Sequence, residues 1–364
     1  MEKILNYING ELVGPAGGKF LDNYNPATGK VYSLIPDSDK IDIENAVSSA
    51  KEAFKTWSKT SKQERSNILM RLADTIEKHS GELIKAESKD NGKPETLAAH
   101  VDIPRAPANI RFFAGAILHD SSEIHEMDGT ALNYTLRQPI GVAACISPWN
   151  LPLYLLTWKV APALAAGNTV VAKPSEITPM TAYLFSKICI EAGLPNGVLN
   201  IVHGLGSKIG DPLTTHPDTP IVSFTGGTVT GKHIAKVTAP MFKKISLELG
   251  GKNPNIIFSD ADFDKAVSIA ARAAFTNQGQ ICLCGSRLFV QEDIYEKFKI
   301  ALIEKTKKLK IGDPKEKSSN LGAVVSKAHM YKILSKIEQA KKLGGKIVIG
   351  GKRVILEGQL KDGY

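Results

Sequence analysis

The sequence predicts an α/β protein built on a doubly wound parallel sheet, and three features predict it. Short apolar runs of strand length recur from residue 140 onward, helical patterns lie between several of them, and polar or glycine-rich pieces begin where the runs stop. The runs are GVAACIS, NTVVAK, GVLNIVHG, PIVSFTGG and KKISLEL, bounded by Gly, Pro and Asn. Parallel strands between helix layers are covered on both faces, so they read as continuous apolar runs. Open sheets of this kind bind ligands beyond the carboxyl ends of their strands, where SPWN, KPSE, HGLG and FTGG stand.

The remaining elements follow in order. A hairpin around Asn9-Gly10 opens the chain. DIENAVSSAKEAFKTWS places Ile43, Ala46, Val47, Ala50, Phe54 and Trp57 at helical spacing, with Asp42 as the expected cap. QERSNILMRLADTIEKHSGELIKAES continues the helical pattern. TPMTAYLFSKICIEAG is a helix closed by Gly193 and Pro195, and EKTKKLKIG reads as the solvated face of a helix ending at Gly312.

At 364 residues and 43% hydrophobic content the chain can bury a substantial core, and its length suggests about two domains. No internal repeat or low-complexity tract interrupts it. Cys145, Cys189, Cys282 and Cys284 are too few and too scattered for a disulfide framework, and MEKILNYINGEL has no apolar core for a signal peptide. A reducing, cytoplasmic setting is expected. Even LPLYLLTWKVAPALAAG is interrupted by proline, lysine and glycine well short of the ~20 apolar residues a bilayer requires, so no membrane partner is expected. The formal charge of +9 comes from dispersed lysines without interleaved aromatic residues and arginines, which argues against a nucleic-acid partner.

Several residues carry possible chemistry. FTGGTVTG should follow a strand and open a helix, where backbone N–H groups can meet a phosphate, although its spacing is not GxGxxG and many such turns bind nothing. VVAKPSE sets Lys173 and Glu176 three residues apart, able to hold ribose hydroxyls or to form a surface ion pair. Asn150 in SPWNLP is either an amide donor to a developing oxyanion or a turn residue. Glu248 in SLELGG stands between leucines and glycines, which predicts an apolar, close-packed surrounding of the kind that tunes a general base. FTNQGQICLCGSRLFV places Cys282 and Cys284 one residue apart, as nucleophile or as packing. A zinc site is disfavoured, because two sulfurs do not complete four ligands and no histidine or further cysteine lies nearby in sequence; no metal is expected.

SPWNLP, AAGNTVVAKPSE, SFTGG, LELGGKNP and NQGQICLCGSR occur in the order and approximate spacing of the NAD(P)-dependent aldehyde dehydrogenase superfamily, which the chain resembles from residue 5 to its last residue. The resemblance implies a Rossmann-type NAD domain over residues 1–249, including the N-terminal helical and hairpin segments, and a catalytic domain over residues 250–364. It implies that Cys282, at the GQxC position, is the nucleophile and Cys284 a neighbour without chemical role. The Asn150 amide and the Cys282 backbone N–H would receive the oxyanion, and Glu248 would activate the water that hydrolyses the thioester. Family members that pass the acyl group to coenzyme A generally lack this glutamate.

Lys173 and Glu176 resemble the residues that bind the adenosine ribose, and a carboxylate there favours NAD over NADP by repelling a 2′-phosphate. Ile146, Trp149, Gly206, Gly210, Phe224, Gly226, Gly231 and Leu249 match further cofactor-pocket positions. Gly227 departs from the pattern, replacing the serine that normally faces the pyrophosphate. Within the superfamily the likeness is strongest to the 2-aminomuconic semialdehyde dehydrogenase group, through ISPWNLPLYLLTWKVAPALAAGNTVVAKPSE and HVDIPRAPANIRFFAG. That implies a small aldehyde substrate carrying a carboxylate held by Arg105, whose alternative is a helix-surface or inter-helix ion pair. Retinal or another apolar aldehyde, and a non-catalytic structural relative of the crystallin type, are the competing expectations. The family continues past KDGY with an EIFGP motif and a strand used in homo-oligomers. By resemblance, then, the catalytic domain is incomplete and the oligomerisation segment missing.

Overall fold

The computed structural model of the protein describes residues 1–364. The chain opens on β1 (Glu2–Lys3), β2 (Asn6–Ile8) and β3 (Glu11–Val13), and β2 and β3 form the expected hairpin. Asn9 and Gly10 take φ of +54° and +84°, as a two-residue turn matched to strand twist demands. Next come β4 (Phe20–Asn25) and β5 (Lys30–Pro36), which join β1 in a three-stranded sheet ordered β1-β5-β4. Nothing in FLDNYN announces a strand, because Asp and Asn are turn formers. The strand holds because buried Asn23 donates to Ser33 Oγ at 3.0 Å and to Asp90 Oδ1 at 2.9 Å.

α1 (Lys40–Trp57) buries Ile43, Ala46, Val47, Ala50 and Trp57, as its spacing predicts. Its cap, however, is Asp39, whose carboxylate accepts from the Ile41 N–H at 2.8 Å. Asp42 is the reciprocal partner, accepting from the Asp39 N–H at 2.9 Å. The second helical stretch divides at His79 into α2 (Lys62–Lys78) and α3 (Ser80–Asn91), and α3 ends at left-handed Gly92, φ +84°. α4 (Glu95–Leu97) runs through a π-helical turn, Ala98–Asp102, into α5 (Ile103–Ala116). A hairpin of β6 (Ile124–Met127) and β7 (Ala131–Tyr134) follows, exposed along its whole length.

The alternating region then builds β8 (Val142–Ile146), α6 (Pro152–Ala165), β9 (Thr169–Lys173), α7 (Met180–Glu191), β10 (Leu199–Ile201), α8 (Gly206–Thr214), β11 (Ile221–Gly226), α9 (Thr228–Thr238) and β12 (Lys244–Leu249). The sheet order is β12-β11-β8-β9-β10-β2-β3. The five strands from β8 to β12 are parallel, as their apolar runs predict, but the N-terminal hairpin extends the sheet antiparallel through Tyr7 opposite Ile201. That hairpin covers an edge that would otherwise be open. One face packs on Leu69, Leu72, Ile110, Leu156 and Phe185 from α2, α5, α6 and α7, the other on Ile43, Val47, Ile209 and Ile234 from α1, α8 and α9.

From β8 the chain winds outward through β9 to β10, then returns with β11 to the opposite flank of β8. The direction of winding therefore reverses between β8 and β11, and a crevice opens there at the carboxyl ends of the strands.

Beyond this sheet lie β13 (Pro254–Ile257), α10 (Phe263–Phe275), β14 (Arg287–Val290), α11 (Tyr295–Lys307) and α12 (Lys327–Lys342). β13 and β14 pair in parallel, and Val267, Ala270 and Phe298 pack into a small core beside them. α11 stops at Lys307 rather than at Gly312. The lysine-rich residues after it leave the helix so that Ile311 can bridge Leu321, and the Gly312 N–H donates to the Leu321 carbonyl at 3.1 Å. No helix is long and apolar enough to cross a membrane.

Candidate active site

The crevice at the switch point is a cleft of about 740 Å³. Ile146 at the end of β8, Trp149 beyond it, Lys173 at the end of β9, and Glu176, Gly206, Gly210, Phe224, Gly226 and Gly227 all line it. A hollow of about 860 Å³ adjoins it across Glu176 and Ile177, between β4 and α12. Gly231 and Leu249 do not line the cleft. A Cβ on Gly231 would lie 2.5 Å from Leu249 Cδ2, so the pair packs α9 closely onto β12.

Lys173 is buried, and its ammonium donates to Glu176 Oε2 at 2.7 Å. Burial alone would raise the Glu176 carboxyl, but the Lys173 charge and the Gly206 N–H, which donates at 3.4 Å, hold it below the usual carboxylate range. An ionised carboxylate thus faces the cleft with acceptor sites to spare. At Gly226 an added Cβ would meet the Phe224 ring at 2.5 Å, so only glycine lets the strand end lie this close to the ring.

α9 begins directly after Gly227 and carries no side-chain cap, which leaves its first-turn N–H groups open at the cleft wall. A carboxylate for two hydroxyls and an uncapped helix start for a pyrophosphate suit a dinucleotide.

Asn150 occupies the irregular segment between β8 and α6. Its amide donates to the Gln280 carbonyl at 2.9 Å, tying the segment that follows Trp149 of the cleft wall to the loop that carries Cys282. That loop is tightly wound: Asn277, Gln278 and Gly279 are all left-handed, at φ +54°, +57° and +74°. Two non-glycine residues in that region cost on the order of 1–3 kcal/mol each and persist only where neighbours fix them. Here Asn277 donates to the Asn150 carbonyl at 3.0 Å and Gln278 to the Ala323 carbonyl at 2.7 Å. Beyond the turn, Asn253 donates to the Cys282 carbonyl at 2.6 Å and to the Cys284 carbonyl at 3.2 Å.

The two cysteines of the motif differ in surroundings. Cys282 is exposed, whereas Cys284, Cys145 and Cys189 are buried. Burial pushes the Cys284 thiol up, the Cys145 thiol up to about 12, and the Cys189 thiol further still.

The enclosure expected around Glu248 is absent. β12 is the edge strand, Glu248 and Leu249 are exposed and Leu247 is half-buried, so the flanking leucines do not close over the carboxylate. Glu248 stands opposite Thr225 in register, at the cleft end of the sheet. Arg105, near the start of α5, is also exposed and has no carboxylate within ion-pair distance, so the expected alternative of an ion pair is not formed. Its guanidinium lies 5.2 Å from the Tyr154 ring centroid and approaches the Tyr154 hydroxyl at 3.5 Å, four residues beyond Asn150.

The structure adds polar residues not singled out from the sequence. Asn253, Asn277 and Gln280 lie within LELGGKNP and NQGQIC, yet an amide in a motif gives no sign of which backbone it will hold. His329 on α12 packs edge-to-face against Trp149, with ring centroids 4.9 Å apart, and nothing in SKAHMYKI marks it.

Comparison with known proteins gives a consistent picture. The Aldehyde dehydrogenase family model matches residues 13–364. The 2-aminomuconic semialdehyde dehydrogenase of Mus musculus is 52% identical over 341 residues, spanning 92% of this chain and 70% of its own length. The 2-hydroxymuconic semialdehyde dehydrogenase of Pseudomonas sp. (strain CF600) is 44% identical over 357 residues, spanning 96% of this chain and 74% of its own. Among solved structures, an NAD+ complex of aldehyde dehydrogenase from Bacillus cereus matches with a TM-score of 0.96 at 41% identity, covering 98% of this chain and 73% of that one.

Proposed function

Because the chain belongs to the aldehyde dehydrogenase family and is an NAD-dependent aldehyde dehydrogenase, we propose that it forms the carboxylate through a thioester on Cys282 and that the aldehyde carries a carboxylate of its own. The observation that carries this reading is the Asn150–Gln280 hydrogen bond, which joins the loop of the one exposed thiol to the residue next to Trp149 in the wall of the dinucleotide-shaped cleft. Residues 1–249 would bind the cofactor and residues 250–364 bring the thiol.

The thiol of Cys282 loses its proton to water and the thiolate adds to the aldehyde carbon. The resulting oxyanion takes one hydrogen bond from the Cys282 backbone N–H and one from Asn150. An amide has two N–H donors, and one of them is already given to Gln280 while holding the group in place; the other remains for the substrate. When bound, the nicotinamide supplies the acceptor for the hydride that leaves the adduct. Glu248 then takes a proton from water, which attacks the thioester, releases the acid and returns Cys282. Lys173 and Glu176 would orient the adenosine ribose, with the Gly227–Thr228 turn at the pyrophosphate. A turnover assay with NAD and a panel of aldehydes tests the whole reading, and complete inactivity across the panel would leave the non-catalytic alternative standing.

Cofactor choice follows from Glu176. A carboxylate at the ribose repels a 2′-phosphate, and Glu176→Ser both removes that charge and frees Lys173 to pair with the phosphate. The preference for NAD should narrow about ten- to a hundredfold, the size of ~1–3 kcal/mol between partly exposed charges. Comparison of kcat/KM for the two cofactors measures it. If the parent already uses NADP as well as NAD, Glu176 does not have this role.

The substrate preference rests on Arg105, whose guanidinium is unpaired and steadied by Tyr154. Arg105→Ala should raise KM for a carboxylated semialdehyde about tenfold or more while leaving KM for a neutral aldehyde of similar size nearly unchanged. Retinal, which offers no carboxylate, serves as the apolar contrast. Equal effects on both classes would return Arg105 to a structural role.

A further inference from the structure

Beneath Asn150 lies a buried lysine that the reaction as derived does not use. The Lys93 side chain has no exposed surface. Its ammonium donates to Asp102 Oδ2 at 2.8 Å and to the Asn150 carbonyl at 3.0 Å, and stands 3.6 Å from Glu87 Oε1. Glu87 and Asp102 are equally buried, and burial pushes both carboxyls up against the pull of the Lys93 charge. The π-helical turn Ala98–Asp102 ends on Asp102, and wide turns of this kind commonly accompany functional sites.

A buried ion cluster is weak evidence of stabilisation, since apolar residues of the same volume often serve as well. What an apolar residue cannot do is donate to a carbonyl. Asn150 stands in an irregular segment, and three donors converge on its backbone oxygen: Lys93, Asn277 at 3.0 Å and Asn91 at 3.4 Å. Only the bond from Lys93 is charge-assisted, and such bonds are about twice as strong as neutral ones.

We propose that Lys93 is a positioning residue for the reaction: held by Asp102 and Glu87, its ammonium fixes the Asn150 backbone so that the amide faces the Cys282 loop. This rests on the oxyanion role given to Asn150 above. Lys93 touches neither substrate nor cofactor and acts only through Asn150.

The test uses the full chain and removes the cluster as a unit, because Lys93→Met alone would strand two buried carboxylates. In Lys93→Met/Glu87→Gln/Asp102→Asn the volume is kept and the charges vanish together, and an unchanged thermal midpoint certifies the fold. The rate of the first, burst turnover should fall about 10- to 100-fold, short of the ~10²–10³ that loss of an oxyanion donor costs, while NAD affinity and thioester hydrolysis stay as in the parent. In an Asn150→Ala background the triple change should cost nothing more, since both act through one group. An undiminished burst, or losses that multiply in the combined variant, overturns the proposal.

A second readout does not depend on turnover. The Asn150 side-chain amide resonances, identified by their disappearance in Asn150→Ala, should be protected from hydrogen exchange in the parent and lose that protection in the triple variant. Retained protection defeats the positioning role even in a chain that never turns over. A parent that forms no NADH with any aldehyde, in the first turnover or later, counts instead against the reaction itself.

Discussion

Replacing Cys282 with serine should abolish turnover, lowering kcat by a factor on the order of 10⁶, as loss of the nucleophile does in a serine protease. The hydroxyl keeps the shape of the side chain but is a far weaker nucleophile than a thiolate, and no base is hydrogen-bonded to residue 282 to activate it. Cys284→Ala, two positions further along the chain, should change kcat only a few-fold. The contrast rests on exposure. Cys282 meets solvent, whereas Cys284 is covered and burial pushes its thiol up, and Cys145 on β8 and Cys189 on α7 are sealed in the core. Limiting iodoacetamide followed by peptide mass spectrometry should therefore find Cys282 alkylated first, with loss of activity in step. Alkylation of Cys284 ahead of Cys282, or a Cys282→Ser chain working within tenfold of the parent, would show that the thiol of the motif was misassigned.

The parts of the fold that were legible in the sequence are those whose surroundings leave a pattern. Every residue of β8, β9 and β10 is buried, so each lies in a largely apolar stretch of sequence even though Thr169, Lys173 and Asn200 are buried within them, and ligand-facing residues follow at the carboxyl ends as the winding of the sheet requires. β4 and the β6–β7 hairpin were not legible: the first is held by buried amide hydrogen bonds in a turn-like composition, and the second buries nothing on either face. The cap of α1 was misplaced by three residues because Asp39 and Asp42 are interchangeable by type, and only the backbone decides which accepts and which reciprocates.

At the site, chemistry-bearing residues could be named but not their distances. Asn150 reaches Gln280 across 130 positions of chain, and Lys93 reaches Asn150 across 57; local spacing has no information on either contact. Glu248 failed in the opposite direction. Its leucine neighbours suggested enclosure, but whether flanking leucines close over a side chain depends on what lies beyond an edge strand.

Glu248→Gln should separate the two halves of the reaction. The amide keeps the size and position of the carboxylate on β12 but cannot take a proton from water. Attack by Cys282 and loss of hydride do not need that proton transfer, so the first turnover should proceed near the parent rate and release one equivalent of NADH per active site. Steady-state turnover should then fall by ~10²–10⁴, the usual contribution of a positioned general base, with the acyl group retained on Cys282. Intact-mass measurement of the stalled protein detects that adduct directly. Because Glu248 is exposed rather than enclosed, its contribution comes from where it stands at the cleft end of β12 and not from an apolar pocket. A strong external nucleophile such as hydroxylamine, which needs no base to attack a thioester, should restore much of the lost turnover to Glu248→Gln while adding little to the parent. If burst and steady state fall together and hydroxylamine rescues neither, Glu248 acts before the thioester forms, and the base for hydrolysis must be sought elsewhere around Cys282.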